Sequence, residues 1–187
     1  MSLLLTAAQT VGPYVSIGFE KASLPDVAPA GVAGERITIT GRIFDGDGQP
    51  VTDGVIETWQ ANSYGKYAHS DDTQEKLLEE NFRGFGRVLT DAQGGFRLTT
   101  IKPGKVAGPD GKEQAPHITV VIFMRGLLKH LMTRIYFPGD PANADDPVLN
   151  LVPAARRATL IAGKVADGTL QWDVHLQGAN ETVFFDY

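Results

Sequence analysis

The chain contains no cysteine among its 187 residues. That absence excludes disulfides, thiolate metal centres, iron–sulfur clusters and a thiol nucleophile, leaving histidine, carboxylate and tyrosine as side-chain metal donors. Basic residues are few: 17 Lys and Arg stand against 22 Asp and Glu, for a formal net charge of −5, and they form no run or stripe. The electrostatic footprint of a nucleic-acid binder is missing, so nucleic acid is set aside as a partner. Long apolar runs are missing too. Near the N-terminus only Leu3–Leu4–Leu5 is continuously apolar, with no basic residue before it, so neither a signal peptide nor a membrane span is expected, and the predicted location is the cytoplasm. The chain also lacks a serine elbow, a Walker loop and a GxGxxG fingerprint. The glycines of Gly84–Phe85–Gly86 have no third member and no following helix, which argues against phosphate binding.

What is present is a composition 42% hydrophobic and 21% charged, with 21 glycines and 11 prolines spread along the chain. The length suits one domain, residues 1–187, and the dispersed Gly and Pro predict many turns joining short strands. From Arg36 to Asp45, Ile37, Ile39, Gly41 and Ile43 alternate with Thr38, Thr40, Arg42 and Phe44, the period of a half-buried strand. Further strands are predicted over Gly54–Ala61, Gly84–Thr90, Gly95–Ile101, His117–Met124, Met132–Phe137 and Leu170–Leu176. A helix is expected between Pro153 and Gly163, and a short helical turn at Thr73–Glu80. Strands without βαβ alternation predict an all-β fold, a β-sandwich of about seven to nine strands with one or two short helices.

Several residues are candidates for chemistry. Tyr67 and His69 follow a predicted strand and His117 opens another; phenolate suits a hard cation such as ferric iron and imidazole suits many metals, but buried Tyr and His also serve as hydrogen-bonded core residues. Gly12–Pro13–Tyr14 presents a hydroxyl on a rigid bend, either to anchor the N-terminal arm or to meet a ligand. Arg134 shares a strand face with Met132 and Tyr136. A guanidinium there needs an anion, which a carboxylate of this chain or of a substrate would supply. Arg156–Arg157 reads as a solvated face or a subunit contact.

The segments Ile39–Ile43, Gly48–Val51, Ile56–Asn62, Gly65–Tyr67, Gly86–Arg87, Thr90–Asp91, Thr100–Gly104, Ala115–Ile118 and Tyr136–Asp140 together resemble, at matching spacings, the signature of the intradiol ring-cleavage dioxygenases. The resemblance implies a transthyretin-like β-sandwich, a mononuclear non-haem ferric ion, and cleavage of a catechol between its hydroxyls with insertion of both atoms of O2. The family's metal is held by two tyrosines and a His-x-His pair. Here Tyr67 and His117 match the first of each, but Val106 stands at the second tyrosine position, Thr119 at the second histidine, and Gln114 where an arginine is expected.

Positions 117 and 119 of a strand share a face, so Thr119 removes a strong chelating donor, and Val106 cannot donate. No Fe(3+) is therefore predicted in this chain, and no catalytic residue within the chain alone. The pattern resembles the iron-free chain of two-chain members of the family, whose homologous β subunit keeps all four ligands in a higher-order hetero-oligomer. By that resemblance Gly12, Pro13, Tyr14 and Arg134 line the partner's pocket for a catechol-type aromatic acid, and residues 1–35 form an arm contacting the partner. Two alternatives stand beside this: a free-standing β-sandwich binding module, and a self-sufficient enzyme using His69 or His130 as replacement ligands.

Overall fold

The computed structural model describes residues 5–108 and 111–186. Two sheets carry the fold. β1 (Arg36–Phe44) pairs antiparallel with β4 (Gly95–Ile101) along one edge. Its other edge takes β10 (Thr169–Gln171) and β11 (Val174–His175) in parallel, and β9 (Gly163–Ala166) extends β10. The second sheet has the order β3-β2-β7-β8, built from β2 (Val55–Trp59), β3 (Phe85–Leu89), β7 (His117–Phe123) and β8 (Leu131–Tyr136), all antiparallel. A two-residue ribbon, β5 (Val106–Ala107) with β6 (Glu113–Gln114), stands apart.

The alternation that marks each strand places its aliphatic residues inward. Ile37, Ile39, Ile43, Leu98 and Ile101 from one sheet join Ile56, Val88, Ile118, Val120, Ile122 and Ile135 from the other in one buried cluster. Each such side chain contributes about 2 kcal/mol of burial. Gln60, itself buried, ties the two sheets by donating to Ile101 O at 3.0 Å and accepting from Thr100 Oγ1 at 2.8 Å. The opposite face of the four-stranded sheet carries a second, smaller cluster: Ala115, Tyr136, Leu149, Val152 and Leu160, with Val183 and Phe185 packed against it. This outer cluster is where the candidate site lies.

Three expectations are corrected, and one helix is added. The segment after Pro153 is a 3-10 helix, Ala154–Leu160, because only Leu160 turns inward and no apolar stripe rewards an α-helical period. Residues 73–80 form no helix; Asn62 and Gln74 hold this stretch as an irregular loop. An α-helix, α1 (Tyr14–Phe19), follows the Gly12–Pro13 bend instead, unannounced by any apolar stripe since it buries no residue. The strand expected over Leu170–Leu176 is interrupted, because Asp173 Oδ1 replaces a backbone carbonyl in accepting from Arg42 N at 2.9 Å. Gly41 lies opposite this break, where a Cβ would come within 1.9 Å of Trp172 O. Among the described residues no helix is long and apolar enough to cross a membrane.

Candidate functional site

The loop after β2 is built to hold Tyr67. Asn62 Oδ1 accepts from the Tyr64 and Lys66 amides at 3.0 and 2.9 Å, and its Nδ2 donates to Leu77 O at 2.8 Å. Gly65 has φ +79°, and a Cβ there would meet Lys105 O at 1.8 Å; only glycine lets the segment before Val106 approach so closely. Asp72 closes the loop by accepting the Tyr67 amide at 2.7 Å and the Gln74 amide at 2.9 Å. Burial opposes its ionisation, but those amides and the Gln74 and Lys66 side chains outweigh it and hold the carboxyl at about 2. The Tyr67 ring stacks on Trp59, centroids 5.9 Å apart. Burial raises its phenol pKa, the Arg134 guanidinium works against that rise, and Asp72 adds to it.

Sheet register supplies the other positions. Thr119 is paired with Trp59 on one side and Arg134 on the other, and His117 with Tyr136. Odd-numbered β7 residues face away from the main core, so His117, Thr119, Arg134 and Tyr136 share the outer face. His117 is 4% exposed, with Nδ1 2.8 Å from Ala115 O. A carbonyl only accepts, so Nδ1 carries the proton and Nε2 is the free-lone-pair nitrogen. Burial, then the Arg134 charge, pushes its pKa down to about 4, against weaker opposing effects of Ala115 O and Asp146.

Arg134 is the centre of this face. Its Nη1 donates to Gln114 Oε1 at 2.7 Å and to the Tyr136 hydroxyl at 3.4 Å, and its guanidinium lies 6.0 Å from the Phe185 ring centre. Tyr136 passes the link on, donating to Asp146 Oδ1 at 3.1 Å. Its own phenol pKa is raised strongly, by burial first. Gln114 is also the ribbon partner of Val106, which is 3% exposed. The structure thus gathers Tyr67, Val106, His117, Thr119 and Arg134 around one outer patch of the sheet.

Ferric iron does not fit these residues. Of the four family ligand positions only Tyr67 and His117 keep a strong donor, since Val106 is aliphatic and Thr119 faces Arg134 across the ladder, while the nearby Tyr136 hydroxyl and Asp146 are engaged with each other. The guanidinium charge acts on Tyr67 and His117 alike, so an added cation would meet an existing positive charge near both of its remaining ligands.

Gly12, Pro13 and Tyr14 lie elsewhere, on the arm. Tyr14 is 82% exposed at the start of α1, and the structure does not bring it to Arg134. His69 is exposed and shares a shallow cleft of about 360 Å³ with Tyr67 and Asp72; its Nδ1 accepts from the Asp71 amide at 3.2 Å. His130 packs on Phe123 in a separate cavity that also holds Lys129 and Asp186. Arg156 and Arg157 are engaged within the chain: Arg156 donates to Glu181 O at 2.9 Å and Arg157 to Val152 O at 2.9 Å.

Asp146 is the residue that sequence reasoning missed. Fully buried, it accepts from the Ala115, Val148 and Leu149 amides at 2.7, 2.9 and 2.6 Å as well as from Tyr136. Its signal was local: an Asp before Pro147 and the apolar Val148–Leu149 is placed to cap a turn.

Comparison with known proteins agrees with the geometry. A family model described as Dioxygenase matches residues 19–178. The protocatechuate 3,4-dioxygenase alpha chain of Burkholderia cepacia is 43% identical, over 99% of this chain and 98% of that one. The beta chain of the same enzyme from Burkholderia cepacia is 40% identical, over 80% of this chain and 67% of its own length. Among solved structures, the dioxygenase domain of a dioxygenase–carbohydrate-binding fusion from Streptomyces sp. SirexAA-E superposes with a TM-score of 0.61 at 26% identity, covering 85% of this chain and 88% of that one. This chain belongs to the intradiol ring-cleavage dioxygenase family.

Proposed function

We propose that this chain is the α subunit of a cytoplasmic protocatechuate 3,4-dioxygenase. It completes the substrate pocket of a homologous β subunit that holds the Fe(3+), in a hetero-oligomer that opens protocatechuate with O2 to 3-carboxy-cis,cis-muconate. The observation that carries this reading is one of coexistence. Similarity to an alpha chain at 43% identity over nearly the full length of both chains accompanies a donor patch in which Val106 and Thr119 replace two ligands and Arg134 supplies a positive charge. Such a chain contributes surface and field rather than the metal. The beta-chain similarity supports a partner built on the same fold, and the full-length match favours this reading over a free-standing binding module.

The chemistry supplied by the partner's iron is activation of the catechol towards O2. The work of this chain is recognition. Gly12 and Pro13 set the bend that presents the Tyr14 ring and hydroxyl, and residues 1–35, of which 1–4 lie outside the described residues, are the arm that reaches the partner. Arg134 adds positive potential for a substrate carrying a carboxylate. In the co-expressed complex, Arg134→Ala is expected to raise KM for protocatechuate about tenfold with kcat and iron content retained. Unchanged kinetics would defeat the assignment, and loss of iron would show a structural role instead.

A further inference from the structure

We infer that Arg87 and Phe19 are positioning residues that set the place of Tyr14, an inference resting on the pocket-lining reading of the arm. α1 has six residues, no buried side chain and no side-chain cap. A helix so short does not persist on its own, so its location is set by what holds its two ends.

At the C-terminal end everything converges on one residue of β3. The Phe19 ring centre is 4.1 Å from the Arg87 guanidinium carbon, and Phe85 contacts the same group at 5.1 Å. Arg87 Nε and Nη2 both donate to Glu57 Oε1, at 2.8 and 2.6 Å, and Nη1 donates to Ala22 O at 3.4 Å. The Arg87 backbone exchanges hydrogen bonds with Leu24 at 2.7 and 3.3 Å, and its carbonyl also accepts from Ser23 Oγ at 3.2 Å. Glu57 faces Arg87 across the β2–β3 ladder, so the guanidinium plane is fixed before the arm meets it. A planar cation held in this way offers a flat seat for an aromatic ring, which an ammonium group does not.

At the other end Thr10 Oγ1 accepts from the Gly126 amide at 2.8 Å and donates to Met124 O at 3.4 Å. Between these two attachments Tyr14 and Ile17 are 82% and 61% exposed. The arm is a span fastened at both feet, and Phe19 on Arg87 is the foot nearer to the helix.

The test uses the co-expressed α–β complex with protocatechuate as substrate. Phe19→Ala is expected to raise KM about three- to tenfold, the loss of one ring–guanidinium contact, with kcat and iron content retained. Phe19→Tyr should restore KM, and amide hydrogen exchange across 11–18 should rise in the first variant and recover in the second. Because Phe19 acts through Tyr14, the Tyr14→Ala/Phe19→Ala double variant should show the KM of Tyr14→Ala alone. Full additivity in that cycle, or an unchanged KM in Phe19→Ala where Tyr14→Ala raises it, would overturn the inference. An unchanged KM in Tyr14→Ala itself would overturn the pocket-lining reading and this inference with it.

Discussion

Around Arg134, hydrogen-bonding groups find partners inside the chain: Gln114 and Tyr136 accept from the guanidinium, and Tyr136 donates to Asp146. The arm does the reverse, leaving Leu5, Tyr14 and Ile17 at 98%, 82% and 61% exposure. Both regions carry residues of the family pattern, but one is half-buried beside the outer cluster of Leu149, Val152 and Phe185 while the other is turned outward. A buried polar network whose members satisfy one another is rigid and self-contained. Large apolar groups gathered on one exposed segment instead offer surface to another molecule. In the proposed reading the chain lends both, Arg134 as a charge held in place from within the fold and the arm as exposed surface.

If that division is right, damage to the two regions should read out differently. Asp146→Ala strips the acceptor from three backbone amides and the Tyr136 hydroxyl, and should lower the free energy of unfolding by about 3 kcal/mol in urea titration. Tyr14→Ala in the same assay should fall within about 0.5 kcal/mol of the parent. Comparable losses in both would erase the distinction.

A smaller effect is expected at the Tyr67 loop on acidification. Burial disfavours the Asp72 carboxylate, yet its hydrogen bonds hold it at about 2, below the unfolded value near 3.9. The unfolded chain therefore binds this proton more readily, so the stabilisation is present above pH ~4 and is lost as pH falls towards 2. The indole resonance of Trp59, stacked on Tyr67, should shift over that window, and Asp72→Asn should remove the dependence.

The smallest effect belongs to the arm's other foot. Thr10→Val removes the bonds to Gly126 and Met124 and should change global stability by under about 0.5 kcal/mol while amide exchange across 11–18 accelerates. A large global loss would mean that the arm is part of the core.

Much of this was legible in the residues. The Ile37–Ile43 alternation marks β1, and the strand expected over Gly95–Ile101 is β4, because period-two burial is a local property. The pairing of 117 with 119 on one face followed from the same geometry. What was not legible depends on distant partners. α1 buries nothing, so no periodicity announces it. The β10–β11 break is made by Asp173 reaching Arg42, far away in sequence. The role of Asp146 arises where Ala115, Tyr136 and the 146–149 turn meet. The strand face that Arg134 shares with Tyr136 follows from the period of β8, but that Gln114 receives the guanidinium is set by the β5–β6 ribbon, which no local pattern foretells.

The most direct measurement is iron content together with protocatechuate turnover, for the chain purified alone and for the complex with its β subunit. The prediction is a colourless, iron-free and inactive chain by itself, and a coloured, active complex whose iron stays with the β subunit when the two are separated. A coloured preparation of the isolated chain, carrying near-stoichiometric iron and opening the catechol ring, would contradict it.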